Sequence, residues 1–373
     1  MRLKLSIAIA KLAGFTSQKL LRKSGATIPG KILLKIYPKA LSALAKNRTI
    51  VLVSGTNGKT STTRALAKAV AKRGTLVTNG TGSNLDRGAA TALMNESEYA
   101  VLEVDELHLA NVARAMQPKV ILLLNLTRDQ LHRMHEVKKV AKRWFDMATE
   151  LPNTTFVGDI DDPFVAYALS GAANTTKVSF GGRLHEDGAV CPACGKYLNR
   201  NFKGFNCSCG LTNKDAEIVL EASSAAIRNA ELANIAAQEL GAKPIAIDEA
   251  ALERTALLDV AGVSTKLRLT KNPASWREAL RGVTSENVIL ILNAREVDGI
   301  DTSWLWDIDF TSLKGKKVSV TGERALDMVY RLHVQGIEAK DFKDFQGAAK
   351  SYEKGSQVDV LAAYTAFHGL VKA

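Results

Sequence analysis

The fold is decided by the stretch Val51-Leu52-Val53-Ser54-Gly55-Thr56-Asn57-Gly58-Lys59-Thr60-Ser61. An apolar run of strand length leads into a turn with two glycines, and a helix-forming sequence follows. Gly55 and Gly58 let backbone N–H groups surround phosphate oxygens, and the helix N-terminus adds a partial positive charge. Lys59 supplies a full positive charge, and the Thr60 hydroxyl can bind Mg²⁺. The stretch therefore predicts a nucleotide-binding loop, in a variant form because valine replaces the usual first glycine.

Short apolar runs of strand length alternate with stretches of helical length from residue 49 onward. This alternation is typical of an α/β protein with a mostly parallel sheet covered on both faces. The predicted strands of the first set are 49–53, 75–78, 99–104, 120–124, 155–157 and 177–180. A second, smaller α/β set has strands near 265–270, 287–292, 317–321 and 358–361.

These patterns predict three parts of the chain. The first is a basic helical segment at 1–48. The second is a central nucleotide-binding domain at 49–247, which contains an insert at 182–213. The third is a C-terminal α/β domain at 248–373.

The 373 residues carry a formal net charge of +12, and this charge is concentrated in the N-terminal segment. Residues 1–48 contain eleven of the 50 Lys and Arg residues and no Asp or Glu, which leaves 39 basic against 38 acidic residues elsewhere. A segment of this kind suits an anionic membrane surface or a nucleic acid. Aromatic residues make up only 6% of the chain and do not alternate with the basic ones. We therefore expect no nucleic acid partner, since base stacking needs such aromatics.

The basic segment predicts one helix to about residue 23, a turn at 25–30, and a second helix that ends before Asn47. Four apolar residues fall within about 80° of arc on the first helix: Leu5, Ile9, Leu12 and Leu20. Such a face can pack on its own domain or contact a membrane surface, and the sequence leaves both open. No apolar run reaches the length of a membrane span, and Lys11 interrupts the N-terminal apolar run, so no secretory signal is expected.

A candidate Mg²⁺ ligand lies at the end of the third predicted strand, in Leu102-Glu103-Val104-Asp105-Glu106. The carboxyl ends of strands in such sheets face the phosphate site. Mg²⁺ prefers one or two carboxylates together with phosphate oxygens. Glu103 is the preferred ligand, and the alternative is a solvated acidic turn.

All four cysteines of the chain lie close together, as Cys191-Pro-Ala-Cys194-Gly and Cys207-Ser-Cys209-Gly. A glycine after each pair permits the tight turn that directs two thiolates at one ion, and four thiolates are typical of tetrahedral Zn²⁺. The competing interpretation is a redox pair. Because no cysteine remains elsewhere for a disulfide, the chain suits a reducing cytoplasm.

The loop at 54–61 resembles the Gly-Thr-Asn-Gly-Lys-Thr loop of the Mur ligases, which make acyl phosphates from carboxylates and ATP. Within that superfamily the chain is similar to the MurT type of synthetase subunit. Further segments carry the resemblance: Pro29-Gly30-Lys31, Asn84-Leu85-Asp86-Arg87-Gly88, Arg128-Asp129-Gln130-Leu131, Asp161-Asp162-Pro163, Lys271-Asn272-Pro273-Ala274 and Asp298-Gly299-Ile300-Asp301-Thr302-Ser303-Trp304. The last segment is the most specific, because general Mur ligases lack it.

The resemblance implies roles for individual residues. It assigns the ATP phosphates and Mg²⁺ to Thr56, Asn57, Gly58, Lys59 and Thr60, and the metal also to Glu103. It implies a nucleotide-facing Asn229 and a zinc ribbon formed by Cys191, Cys194, Cys207 and Cys209. It further implies that Asp301 completes a partner's Cys–His pair, since a carboxylate that orients a histidine supports a thiolate nucleophile. Considered alone, the loop with Asp298 and Asp301 is also compatible with a plain turn.

The reaction that the resemblance implies is amidation of the D-Glu α-carboxyl in the lipid II stem peptide. ATP, with Mg²⁺, would form the acyl phosphate through Lys59, and ammonia from a separate GatD-type glutaminase subunit would displace the phosphate. The chain would work in the cytoplasm, where it meets lipid II at the inner membrane surface. Two alternatives remain: another Mur-type ligase that adds an amino acid, and a non-catalytic protein that binds nucleotide and nucleic acid.

Some positions depart from the family pattern. His132 and His135 stand where the family has Asp and Gly, and no role is assigned to them. Gly262-Val263 replaces a Gly-Arg pair in a shortened stretch, so an arginine expected to touch nucleotide is missing or replaced. These departures leave substrate binding by the C-terminal domain open.

Overall fold

In a computed structural model of the chain, residues 2–21, 27–80, 83–129, 137–247 and 255–372 are described, without the side chains of 17–21. The chain divides into two compact units. The first unit contains Met1–Leu126 and Glu136–Asp248, and the second contains Thr127–His135 and Glu249–Ala373. The predicted domain boundaries stay predictions. Among the described helices, none combines the length and the hydropathy that crossing a bilayer requires.

A seven-stranded, fully parallel sheet forms the centre of the first unit, in the order β2-β3-β1-β4-β5-β6-β9. Its strands are β1 (Thr49–Ser54), β2 (Leu76–Thr78), β3 (Tyr99–Glu103), β4 (Val120–Leu123), β5 (Thr155–Asp159), β6 (Asn174–Ser179) and β9 (Ile218–Val219). The central strands are almost entirely buried, as expected of a parallel sheet with helices on both faces. The predicted α/β class is therefore confirmed.

The helices of the first unit are α1 (Arg2–Leu21), α2 (Ile28–Ile36), α3 (Ala40–Ala45), α4 (Lys59–Val70), α5 (Asp86–Leu93), α6 (Leu109–Met116), α7 (Val137–Thr149), α8 (Pro163–Leu169) and α9 (Ala225–Gln238). One core cluster joins the inner faces of α4 and α9 to the sheet through residues such as Leu66, Val70 and Leu232. Helix α4 begins at Lys59, within the phosphate loop.

The N-terminal helices correct one prediction. The second predicted helix is two helices, α2 and α3, because the chain leaves the helix at Tyr37, immediately before Pro38. A residue before proline is disfavoured in the α conformation, so the break follows from the sequence. The α2 helix packs closely on α5: the Gly30 N–H donates to Thr91 Oγ1 at 2.9 Å, and a Cβ on Gly30 would lie 1.8 Å from the carbonyl oxygen of Arg87.

The insert predicted at 182–213 contains a small antiparallel hairpin, β7 (Asn199–Asn201) and β8 (Gly204–Asn206). The sequence did not predict this hairpin, nor the edge strand β9 that follows the insert. Both are short, and neither has an extended apolar pattern.

The second unit contains a six-stranded sheet in the order β10-β11-β15-β12-β13-β14, parallel except for the pair β10–β11. Its strands are β10 (Thr255–Val260), β11 (Val263–Leu269), β12 (Asn287–Ile291), β13 (Lys317–Thr321), β14 (Ala339–Asp341) and β15 (Gln357–Ala362). Its helices are α10 (Pro273–Arg281), α11 (Ala325–Val334), α12 (Phe345–Lys350) and α13 (Tyr364–Lys372), with 3-10 helices at Ser303–Asp307 and Thr311–Leu313.

The shortened stretch around Gly262 is a tight hairpin turn. Ala261 and Gly262 both have positive φ, 56° and 85°, which is the conformation that a two-residue hairpin requires. Val263 is buried in β11. The position that lacks the expected arginine is therefore a strand position in the core.

Candidate functional site

The phosphate loop requires glycine at two positions for steric reasons. Gly58 has φ +85°, and a Cβ there would lie 2.0 Å from Asn229 Nδ2. At Gly55 a Cβ would lie 2.9 Å from Leu124 Cβ and 3.0 Å from the Asn125 carbonyl oxygen. The backbone of the loop therefore lies against the end of β4 on one side and α9 on the other. Asn229 is adjacent to the loop, and its contact with a nucleotide stays a prediction.

Asn125, which follows β4, holds the loop with both its backbone and its side chain. Its carbonyl accepts from the Thr56 N–H at 2.9 Å, and its Oδ1 accepts from the Asn57 N–H at 2.9 Å. Its Nδ2 donates to the Asn57 carbonyl at 2.9 Å. Asn125 is not among the predicted site residues, although its position at the carboxyl end of a central strand is a signal that points to it.

Lys59 is buried at the base of the loop. Its Nζ donates to the Gly55 carbonyl, to the Thr56 carbonyl at 3.3 Å, and to Glu106 Oε2 at 3.0 Å. The Lys59 residue is 8% exposed and Glu106 is 6% exposed. A buried ion pair with further hydrogen bonds holds the ammonium in one place, beside the loop that the sequence assigns to phosphate.

Two carboxylates lie near the loop in different ways, Glu103 at the end of β3 and Glu106 just after it. Glu103 pairs with Val53 in the β3–β1 register, two residues before Gly55. Asn79 fixes the Glu103 backbone, because it donates to the Glu103 carbonyl at 2.7 Å and accepts from its N–H at 2.8 Å. Glu103 and Thr60 remain the predicted Mg²⁺ ligands, whereas Glu106 is the carboxylate that contacts Lys59, a contact the sequence did not predict.

A buried acidic cluster anchors the N-terminal end of α9. Arg228 donates to Asp159 Oδ2 at 2.7 Å and to Asp161 Oδ2 at 3.3 Å, and its guanidinium lies over the Phe180 ring. Burial raises the pKa of Asp159, which Arg183 and Arg228 oppose. Burial also acts against ionisation of Asp161, but hydrogen bonds from Asn213 and the Phe180 N–H hold the pKa of Asp161 below its usual value. Asn229 is thus carried by a helix whose first turn is fixed by charge.

The next carboxylate, Asp162, connects this cluster to the phosphate loop. Its Oδ2 accepts from the Leu126 N–H at 2.8 Å, directly after Asn125, and contacts His185 Nε2 at 3.0 Å. Its Oδ1 caps α8 by accepting from the Phe164 and Val165 N–H groups. Burial opposes its ionisation, yet His185 and Arg183 hold the pKa of Asp162 below its usual value.

The four cysteines form a candidate metal centre. Their Sγ atoms all lie within 4.8 Å of one another, with Cys191–Cys209 at 3.7 Å and Cys194–Cys207 at 3.4 Å. A tetrahedral Zn²⁺ with Zn–S bonds of about 2.3 Å places its sulfurs about 3.8 Å apart, so the thiol set fits such an ion.

The two knuckle turns have the predicted geometry. Gly195 and Gly210 have φ of +80° and +96°, and their N–H groups donate to the Cys191 and Cys207 carbonyls. Burial raises the pKa of the Cys191 thiol to about 12, whereas the Cys209 N–H lowers the pKa of Cys207 to about 7.

Asp301 lies in the second unit, in the turn before the first 3-10 helix. Its Oδ1 accepts from the Ser303 N–H at 2.8 Å, and the residue is partly exposed. The turn is fixed by buried Asp298, which accepts from the Thr365 N–H at 2.7 Å and from Thr365 Oγ1 at 2.6 Å. Asp298 and Asp301 line a small pocket of this unit together with residues that include Lys271 and Trp304.

The structure therefore brings most of the predicted site residues together in one unit. The loop residues 55–60, Glu103 and Asn229 surround the C-terminal ends of β1 and β3, and the cysteines form their own cluster in the insert. Asp301 belongs to the other unit. His132 and His135 lie outside the described residues.

Two family models match the chain. The Mur ligase middle domain matches residues 53–190, and the MurT ligase C-terminal domain matches residues 269–367. Both ranges contain residues predicted above, with the loop residues from Gly55 in the first and Asp301 in the second.

Curated relatives match over almost the whole chain. The lipid II isoglutaminyl synthase (glutamine-hydrolyzing) subunit MurT of Streptococcus pneumoniae is 28% identical over 97% of this chain and 95% of its own length. The protein of the same name from Staphylococcus aureus is 27% identical over 89% of this chain and 88% of its own.

Solved structures support the fold. A pseudomurein peptide ligase type C from Methanothermus fervidus has a TM-score of 0.65 at 17% identity, covering 86% of this chain and 77% of its own. MurF from Acinetobacter baumannii has a TM-score of 0.63 at 16% identity, covering 92% and 80%.

Proposed function

We propose a function for a chain that belongs to the MurT branch of the Mur ligase family. The two domain matches and the near-full-length relatives together support this membership. We propose that it is the synthetase subunit of a lipid II isoglutaminyl synthase. In this reaction ATP activates the α-carboxyl of D-Glu in the lipid II stem peptide, and ammonia converts it to the amide of D-isoglutamine. The observation that carries the proposal is the phosphate loop around buried Lys59, in a chain that also has a MurT ligase C-terminal domain.

The loop would bind ATP with the backbone of Gly55, Thr56, Asn57 and Gly58, and Asn229 would contact the nucleotide. Lys59 would stabilise the charge that develops as the terminal phosphoryl group passes to a carboxylate oxygen, which leaves ADP and an acyl phosphate. Ammonia then attacks the acyl carbon and inorganic phosphate leaves. Thr60 and Glu103 would hold Mg²⁺, which neutralises phosphate charge when it is bound.

The cysteine cluster would bind one Zn²⁺ with a structural role. Four thiolates complete a tetrahedral shell and leave no open position for a substrate or a reactive water. Cys191, Cys194, Cys207 and Cys209 would therefore stabilise the insert, with the chemistry taking place at the phosphate loop.

Ammonia would come from a separate GatD-type glutaminase subunit. The four clustered cysteines are the only ones in the chain, so the chain itself offers no cysteine nucleophile for glutamine hydrolysis. Asp301, partly exposed in a rigid turn, would orient the histidine of the partner's Cys–His pair. The complex would work in the cytoplasm, at the membrane surface that carries its lipid-linked substrate.

The test compares two variants in the complex with its glutaminase, using glutamine or ammonium as the nitrogen source. Asp301→Asn should lower glutamine-dependent isoglutamine formation by something on the order of 10⁴-fold, and ammonium should restore most of it. Lys59→Ala should abolish amidation with both sources. Equal failure of Asp301→Asn with both sources would contradict the shared triad, and parental amidation by Lys59→Ala would contradict the loop assignment. If the chain instead joins an amino acid to the carboxylate, with neither ammonia nor the glutaminase present, the result would favour another Mur-type ligase.

A further inference from the structure

Helix α1 has two apolar faces of different character. Small side chains form a row along the inward face, with half-buried Leu3 and Ile7 beside them: Ser6 and Ala10 are buried, and Gly14 packs so closely on α2 that a Cβ there would lie 2.5 Å from Pro29 Cγ. The residues recur at intervals of four, so they form one row along the helix. The helix is therefore held to its own unit by this row of small residues together with Leu3 and Ile7.

Four large apolar side chains of α1 point in the opposite direction, into solvent. Leu5 is 63% exposed, Ile9 44%, Leu12 66% and Phe15 56%. At 100° per residue these four residues lie within about 120° of arc, on the side of the helix away from the small-residue row. A surface helix normally buries its large apolar residues, so this face is the reverse of the usual arrangement. The sequence left open whether the apolar face with Leu5, Ile9 and Leu12 packs on its own domain or contacts a membrane surface. In the structure the helix packs on its unit with the opposite face, so the face with these residues stays exposed.

Basic side chains border the exposed face on both sides. Lys4 and Lys11, both exposed, lie beside the edge near Phe15, and exposed Arg2 lies beside the edge near Ile9. No acidic residue occurs anywhere in residues 1–48. An apolar face with lysine and arginine at its borders is the layout of a helix that lies in the plane of a bilayer, where long basic side chains reach the lipid headgroups.

We propose that the outward face of α1 inserts into the surface of an anionic phospholipid bilayer and holds the protein there. Leu5, Leu12 and their neighbours would enter the boundary between headgroups and acyl chains, while Lys4 and Lys11 would contact anionic headgroups. The biological reason for this contact rests on the proposed function, whose substrate is lipid-linked, but the contact itself stands on α1 alone.

Charge decides between this occupant and two others. A second copy of the chain docked through the same face would bring its lysines against these lysines, which is unfavourable. A nucleic acid would bind the lysines but would have no use for four exposed apolar side chains. An anionic bilayer matches both the charge and the apolar face.

The experiment measures binding of the full chain to vesicles of phosphatidylcholine, with and without phosphatidylglycerol, by co-sedimentation. The parent protein should bind the vesicles that contain phosphatidylglycerol, and less so at high salt. Leu5→Gln with Leu12→Gln should weaken binding by about tenfold or more, because two apolar side chains no longer leave water. Lys4→Gln with Lys11→Gln should reduce the preference for phosphatidylglycerol. The matched control, Tyr197→Gln with Leu257→Gln, removes apolar side chains elsewhere that are even more exposed and should bind as the parent does.

Three results would overturn the inference: no binding of the parent to either vesicle, unchanged binding of the leucine variant, or a change in oligomeric state of that variant in place of a change in vesicle binding. Binding of single-stranded DNA that depends on Lys4 and Lys11 but not on the leucines would assign the segment to nucleic acid instead. Unchanged thermal unfolding of each variant verifies the fold. Amidation of a water-soluble, short-chain lipid II analogue should be unaffected by the leucine variant, so vesicle binding and the proposed reaction can fail separately.

Discussion

Asp162→Ala should destabilise the first unit severely, because this one carboxylate caps α8, accepts from the Leu126 N–H and forms an ion pair with Arg183. Loss of the α8 cap costs about 1 kcal/mol, and the buried Leu126 N–H, left without its acceptor, adds about 1–3 kcal/mol. Asp162 is fully buried, and Arg183 contacts it at 3.3 Å. Removing one member of a buried ion pair costs about 3–5 kcal/mol. This cost is not independent of the costs of the lost cap and the unpaired N–H, so the three are not added in full. We expect a total of about 4 kcal/mol, which for a unit of this size lowers the Tm by roughly 10 °C.

The assay is thermal and urea unfolding of the purified chain, with ADP binding measured by calorimetry on the same samples. Asp162→Asn keeps an Oδ1 that can cap α8 but loses the charge, so it should lie between the parent and Asp162→Ala. Asp215→Ala, at an exposed aspartate of the same unit, is the control and should stay within about 0.5 kcal/mol of the parent.

ADP affinity should fall together with stability, since Leu126 follows the residue that holds the phosphate loop. An Asp162→Ala protein as stable as the Asp215→Ala control would refute the assigned energetics. A destabilised protein with unchanged ADP affinity would show that the cluster does not position the loop.

Three further predictions concern the loop, the cysteines and the second unit. Gly58→Ala should weaken ADP binding by about tenfold or more, because its Cβ would collide with Asn229; Gly181→Ala, with a similar φ of +82° and open space around it, should bind ADP normally by calorimetry. Cys194→Ser should reduce bound zinc well below one ion per chain by metal analysis and lower the Tm, whereas exposed Ser208→Ala should change neither. Asp359→Asn should destabilise the second unit by about 1–3 kcal/mol at neutral pH in urea unfolding. Although burial opposes its ionisation, the Ser285 N–H and Arg268 hold the pKa of Asp359 below its usual value. The ionised Asp359 therefore adds to the free energy of unfolding above the unfolded pKa of about 3.9. This stabilisation is lost as the pH falls through the lower pKa of the folded state. The difference from the parent should close in acid, and the exposed Asp341→Asn control should show no such trend.

The parts of the fold that the sequence predicts are those specified locally. The strand–loop–helix around Gly55 and Gly58 follows from residues within one short stretch, and the strands of both sheets follow from apolar runs. The edge strands β9, β10 and β14 were missed because they are short or partly exposed, so their apolar pattern is weak. The break at Pro38 was available in the sequence and was overlooked.

The parts that the sequence does not predict depend on contacts between distant residues. Asn125 holds the loop across 68 positions of sequence, and Glu106 reaches Lys59 across 47. Three carboxylates lie at or just after the end of β3, and only the folded structure shows that Glu106 is the one that contacts the lysine. The choice of which face α1 buries is a similar case. The sequence shows an apolar arc, but whether that arc faces the protein depends on the contact between Gly14 and Pro29 on the opposite side of the helix.

The measurement that tests the central claim most directly follows a heavy oxygen isotope placed at both oxygens of the α-carboxyl of the D-Glu residue of lipid II. The complex with its glutaminase is given this substrate, ATP and glutamine, and both the amide and the inorganic phosphate are analysed by mass spectrometry. If the loop around Lys59 drives formation of an acyl phosphate, each amide formed should release one phosphate that carries one labelled oxygen, and Lys59→Ala should give neither product. Amide formation with unlabelled phosphate, or without ATP consumption, would contradict the account.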